Sequence, residues 1–233
     1  MNASPGKIET ALFAVGFAMA ALVLLALLWS GVGAYVDMAR AAGVVGATFY
    51  EHATGSNSVQ LSLDELAEQH RAWSAYITGG REDPPAAGPL YTADEISHMA
   101  DVRQVFDGAK ILIPAGLFVM AIRLQRARAR SAAAMFRLVR DGAVAAGIAV
   151  AAIGIIAALA FDQAFLLFHE VFFPQGNFLF DPATSNLVRL YPDWYWQGIT
   201  FRIGLSFVAV AAAVAIAASV GLRRARSTRL ASE

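Results

Sequence analysis

Apolar residues gather in four runs, Ala11–Val32, Gly108–Ile122, Gly142–Phe161 and Ile199–Leu222, separated by stretches in which polar residues return. A hydrocarbon core about 30 Å thick takes roughly 20 helical residues to cross, so the runs predict four transmembrane helices. The second run is the weakest, because Lys110 and Pro114 interrupt it. Its helix is expected to begin outside the bilayer and to kink at Pro114, which lacks a backbone donor. Between the first two runs, Ser62-Leu63-Asp64-Glu65 has the form of a capping box and is followed by Leu66, His70, Trp73 and Ile77 at helical spacing. Thr92-Ala93-Asp94-Glu95 is a second such box, with Ile96, Met99, Val102 and Phe106 as an apolar stripe, so a helix is expected from Ala93 toward the second span. Short strands are expected at Thr48–Tyr50 and Val59–Leu63, and the stretch from Gly79-Gly80 to Gly88-Pro89 reads as a surface loop. The expected fold is an all-α membrane protein with a small mixed cap.

The basic residues orient this arrangement. Arg123, Arg126, Arg128, Arg130, Arg137 and Arg140 lie between the second and third runs, and Arg223, Arg224, Arg226 and Arg229 follow the fourth. Cytoplasmic segments carry the excess of Lys and Arg, so both clusters and both termini are expected in the cytoplasm. Segments 33–107 and 162–198 hold most of the acidic residues and are expected to form one extracytoplasmic cap. Lys7 and the sequence Met38-Ala39-Arg40-Ala41 resemble parts of a cleavable signal, but the first run exceeds the roughly 7–15 residues of a signal core, so it is read as a retained span. The chain is 58% hydrophobic with a formal net charge of +0, which gives no reason to expect a nucleic-acid partner. It contains no cysteine, which removes disulfides, a thiolate nucleophile and cysteine metal sites.

Among four histidines, two have pointed surroundings. His98 has Asp94 four residues before it and Asp101 three after, a spacing that puts a carboxylate on its side of a helix. His169 lies in Phe168-His169-Glu170-Val171-Phe172-Phe173, just past the third run. Either imidazole could take a proton from an amine near neutral pH, as a general base must. Set against this, a single histidine among interfacial aromatics is commonly an anchor. His70 fits the apolar stripe of its helix, and His52 sits beside a Gly-Ser-Asn turn. Asp181 before Pro182 reads as a turn initiator, and Arg189 could meet an anionic headgroup or a surface carboxylate. No His-Glu-x-x-His, Gly-x-Ser-x-Gly, Walker or dinucleotide pattern is present, so neither a metal nor a cofactor is expected. Ionisable residues are nearly absent from the spans, which argues against transport.

Glu95-x-x-His98-Met99-x-Asp101-Val102, with Phe168-His169-Glu170-Val171-Phe172-Phe173 and Phe178-x-Phe180-Asp181-Pro182, resembles bacterial four-helix membrane proteins that include the lipoprotein intramolecular transacylase, Lit. The resemblance spans nearly the whole chain. Relatives often have Asn-Asp-x-Trp where this chain has Gln175-Gly176-Asn177-Phe178. It implies transfer of the sn-2 acyl chain of a lipoprotein's diacylglyceryl group to the amine of its N-terminal cysteine, giving the lyso form. The implied partners are diacylglyceryl-modified lipoproteins and membrane lipid. Two histidines on the outer side are essential in that family, and its motifs place them at His98 and His169. Asp94, Asp101, Glu170, Asp181 and Arg189 are the expected supporting residues. The competing expectation is a non-enzymatic membrane protein that assembles with or binds a partner, its histidines being structural.

Overall fold

A computed structural model describes residues 5–85 and 90–230, and for residues 226 and 228–230 it describes the backbone alone. The expected surface loop therefore falls partly outside the described residues, as do the side chains of Arg226 and Arg229. The elements in order are α1 (Lys7–Trp29), α2 (Val32–Ala41), β1 (Gly46–Glu51), β2 (Ser56–Ser62), α3 (Leu63–Ile77), α4 (Ala93–Lys110), α5 (Leu112–Arg130), α6 (Ala132–Leu159), α7 (Phe161–Phe172), α8 (Asn186–Leu190) and α9 (Asp193–Leu230). Four helical stretches are long and apolar enough to cross a membrane: Lys7–Trp29, Ala93–Arg130, Ala132–Leu159 and Asp193–Ala225. The chain divides into two compact units, one of Met1–Ala26, Lys110–Ile156 and Ile203–Glu233, the other of Leu27–Ala109 and Ala157–Arg202.

The first unit is a helical bundle. Its core sets Phe13, Phe17, Leu138 and Phe207 among small residues such as Ala127, Ala143, Ala146 and Ala211. Small side chains let helix backbones approach where lipid offers no hydrophobic drive between them. Gly16 of α1 and Gly116 of α5 show the closest approach: a Cβ added to either would run into the other's carbonyl oxygen. The basic link expected between spans two and three shrinks to one residue. Ser131 is extended, closes α5, and its Oγ accepts the Ala134 N–H at 3.0 Å to open α6. The arginines of that link lie on the helices themselves, since Ala and Arg are strong helix formers.

Other boundaries also differ from the sequence expectation. The first span ends at Trp29, where Ser30 Oγ turns back to the Leu27 carbonyl at 2.8 Å, and Val32 opens the unanticipated α2. Between α4 and α5 only Ile111 is interrupted, because Pro114 cannot donate to the Lys110 carbonyl.

The second unit carries an antiparallel hairpin, Gly46 facing Ser62 and Glu51 facing Ser56, with Gly55 at φ +69° in its turn. Both expected strands are present, although Leu63 belongs to α3. Ser62 ends β2 and caps α3: its Oγ accepts the Glu65 N–H, and Glu65 Oε2 accepts the Ser62 N–H at 2.8 Å. Asn186, fully buried, exchanges bonds with Tyr50 N–H and C=O, both at 2.7 Å, and donates to the Leu90 carbonyl at 2.6 Å, fixing α8 to the hairpin. His70 stacks on Tyr35 with centroids 4.5 Å apart. Its Nε2 donates to the Ser30 carbonyl at 3.0 Å, which leaves Nδ1 to accept the Tyr191 hydroxyl at 3.2 Å. Burial pushes the His70 imidazole down to about 4, against the opposing pull of the Ser30 carbonyl, so the ring is a neutral post tying three segments together.

Candidate active site

The site is assembled within the second unit, and its first support is a capping box. At the start of α4, Thr92 Oγ accepts the Glu95 N–H at 3.2 Å, and Glu95 Oε2 accepts the Thr92 N–H at 2.9 Å. The other carboxylate oxygen, Oε1, accepts the Ser185 hydroxyl at 2.6 Å and the Leu187 N–H at 2.8 Å. Glu95 is 1% exposed, so one buried carboxylate caps α4 and clamps the entry to α8. Three residues on, the helical repeat brings His98 to the same buried side.

His169 reaches the same place from α7. This helix is strongly two-faced: His169 is buried, while Leu166, Leu167, Val171 and Phe172 on other positions are exposed. The two imidazole rings lie nearly parallel with centroids 6.2 Å apart. Phe173 lies 4.8 Å and Phe180 5.6 Å from His98, and Phe165 lies 4.2 Å and Phe178 5.1 Å from His169. These rings belong to the wall of a cavity of about 250 Å³ that Met99, Val102, Tyr195 and Trp196 also line. The cavity is apolar except at a few points, as expected of a small-molecule site whose occupant is oriented by a few polar side chains.

Hydrogen bonds set the nitrogens apart. His169 Nδ1 contacts the Phe165 carbonyl at 2.8 Å. A carbonyl only accepts, so Nδ1 carries the hydrogen and the Nε2 lone pair of the neutral ring is left for chemistry. Burial holds the His169 imidazole below its ordinary value, partly opposed by that carbonyl. His98 Nδ1 is buried and has no hydrogen-bond partner among the described residues. The side chain of Asn177 interacts with the His98 ring. Asn177 Nδ2 in turn donates to Asp101 Oδ2 at 2.6 Å, and Gln175 Nε2 donates to the same oxygen at 2.8 Å.

The other expected supporting residues are placed differently. Asp101 joins the site through Asn177, whereas Asp94 and Glu170 are exposed. Asp181 Oδ1 accepts the Ala183 N–H at 2.9 Å, the geometry of a turn initiator. The Arg189 guanidinium donates to the backbone carbonyls of Thr48, at 2.8 Å, and Ala183, holding a loop to β1. Three contributors were not foreseen: Gln175, Asn177, and Glu95 as a clamp on α8. The Thr92–Glu95 box signalled part of the last, but nothing in the spacing of Gln175 and Asn177 tied them to Asp101, 74 and 76 residues away.

Four membrane-crossing stretches and a histidine pair enclosed by aromatic rings define a multi-pass membrane protein with a buried, apolar, two-imidazole site. The family follows from sequence. Residues 17–196 match the profile of the lipoprotein intramolecular transacylase Lit, so the chain belongs to that family. No curated protein matches it in sequence. Among solved structures it is similar to the membrane integral lipoprotein intramolecular transacylase Lit from Bacillus cereus, at 14% identity and a TM-score of 0.68, covering 95% of this chain and 97% of that one. A variant of the Bacillus cereus protein with one histidine replaced by arginine is also similar, at 14% identity and a TM-score of 0.66, covering 95% of this chain and 94% of that one. At that level of identity the structural likeness concerns the fold.

Proposed function

We propose that this chain is a lipoprotein intramolecular transacylase acting at the extracytoplasmic face of the bacterial cytoplasmic membrane, with His98 and His169 as its catalytic residues. The observation that carries the reading is the pair of imidazoles, 6.2 Å apart, in one aromatic cavity. Arginines at the end of α5, the start of α6 and the tail of α9 support a cytoplasmic position for those ends and for both termini. The membrane spans are about 11–29, 108–122, 142–161 and 199–222, and segments 33–107 and 162–198 form the extracytoplasmic cap.

The substrate is a diacylglyceryl lipoprotein, whose N-terminal cysteine amine and sn-2 ester sit on one molecule. The amine nitrogen attacks the ester carbonyl and a tetrahedral intermediate forms. His169 Nε2 takes the proton the nitrogen must lose. The carbonyl then reforms, the bond to the sn-2 oxygen breaks, and the proton passes to that oxygen as the free hydroxyl of the lyso product. His98, beside Asn177 and Asp101, meets the oxygen on which charge develops. No acyl-enzyme and no cofactor is required, since the substrate itself supplies proximity. Asp94, Glu170, Asp181 and Arg189 act on loops and surfaces around this pair and do not touch the reacting atoms.

The test is expression in a bacterium lacking lipoprotein N-acylation, with mass spectrometry of a lipoprotein's N-terminal peptide. One acyl chain on the amine and one on the glyceryl group is the expected product; an unchanged diacylglyceryl form in cells with abundant protein would reject the activity. The rate should also depend on pH in a set direction. The base form of His169 is the neutral ring, and burial holds its pKa down, so the ring's own limb lies below the ordinary imidazole value of about 6.5, beneath the limb set by the substrate's α-amine at about 7.7–8.0. Persistence of the lower limb in His169→Ala, in detergent with purified lipoprotein, would contradict the assignment.

A further inference from the structure

Among the described residues of the bundle unit, two arginines with buried nitrogens have no acidic partner. On the described residues of that unit the acidic side chains are Glu9 and Asp141. Arg130 Nη2 takes Glu9 at 2.7 Å, and Arg140 Nη2 takes Asp141 at 2.7 Å. Asp141 stands one helical turn beyond Arg137, yet Arg137 Nε and Nη2 are both buried and both without a hydrogen-bond partner among the described residues. Those two nitrogens form the side-on edge of the guanidinium, the fork that grips two oxygens of one carboxylate or phosphate. Arg123 Nε is buried and without a partner among the described residues as well.

The two arginines stand at similar distances from one turn. Arg123 and Arg137 stand on either side of the Ser131 turn, roughly 12 Å and 9 Å along their helices at about 1.5 Å per residue. Leu124 and Ala127 of α5 pack in the same core as Met135 and Leu138 of α6, so the two helices run against each other there. A buried guanidinium edge without a partner among the described residues calls for an anion from outside the chain. The apolar part of α5 ends at Ile122, and Arg123 stands at the border where lipid phosphates lie.

We infer that Arg137, with Arg123, forms a binding site for the phosphodiester of an anionic membrane lipid, gripped side-on by Arg137 Nε and Nη2. The site is separate from the histidine pair and its existence does not rest on the proposed acyl transfer. Basic pockets between transmembrane helices hold anionic headgroups by the same chemistry.

Native mass spectrometry of the full chain, stripped of lipid in detergent and titrated with phosphatidylglycerol, phosphatidylcholine or inorganic phosphate, tests it. One phosphatidylglycerol per chain should be retained in preference to phosphatidylcholine, and Arg137→Gln should weaken retention by at least about tenfold. Exposed Arg128→Gln should leave it unchanged. Arg137→Lys, which keeps the charge but lacks the fork, should fall between and carries the test if glutamine disturbs membrane insertion. Equal retention by wild type and both Arg137 variants, equal binding of phosphatidylcholine, or occupancy by inorganic phosphate alone would overturn the inference.

Discussion

His169→Ala is expected to yield a folded, membrane-inserted protein whose formation of lyso-form lipoprotein is slowed by about 10²–10⁴-fold, the usual contribution of a positioned general base. The fold should survive because the side chain's one hydrogen bond is to Phe165, in the preceding turn of its own helix, and its other neighbours are aromatic rings that remain. His98→Ala should fall in the same range. His70→Ala is the contrasting control: that ring joins the Ser30 carbonyl to the Tyr191 hydroxyl, so its loss should lower expression and melting temperature together with activity. Quantified conversion per unit of purified, monodisperse protein separates the two patterns. A His169→Ala enzyme within threefold of wild type, roughly the effect expected of a spectator, would remove the histidine from the chemistry.

The second large effect concerns a residue that touches no substrate. Glu95→Ala should cost about 3–5 kcal/mol, because it strands several buried donors at once, each worth about 1–3 kcal/mol when left unpaired. The donors are the Thr92 N–H, the Ser185 hydroxyl and the Leu187 N–H, all drawn to one carboxylate. Glu95→Gln should retain part of the loss, since its amide group presents a donor where an acceptor stood. Thermal unfolding in detergent measures both, with wild type > Gln > Ala expected in melting temperature. An Ala variant melting with wild type would mean that these bonds do not hold α4 to α8.

Local signals in the sequence translated well into local structure. Ser62-x-x-Glu65 and Thr92-x-x-Glu95 each open a helix at the place their spacing predicts, because a capping box is complete within four residues. The apolar runs gave the four long helices, although Ser30 and Gly31 broke the first earlier than hydropathy alone suggests. The histidine motifs singled out His98 and His169, but gave no sign that their rings would lie nearly parallel within one cavity. What stayed hidden depends on long-range pairing. Asn177 and Gln175 meet Asp101 only once the chain has folded, and Arg189, whose charge suggested a headgroup, spends its donors on backbone carbonyls. A polar side chain's partner is set by tertiary placement, and no periodicity along the chain encodes it.

Whether the two imidazoles act as one device is tested most directly by a double-mutant cycle. Single-turnover acyl transfer is measured for wild type, His98→Ala, His169→Ala and the double variant with one diacylglyceryl lipopeptide. Groups acting together on the same proton transfer and the same ester give a double variant no slower than the slower single one. Losses that multiply independently would mean that the two rings serve separate steps, and the shared site described for them would be wrong.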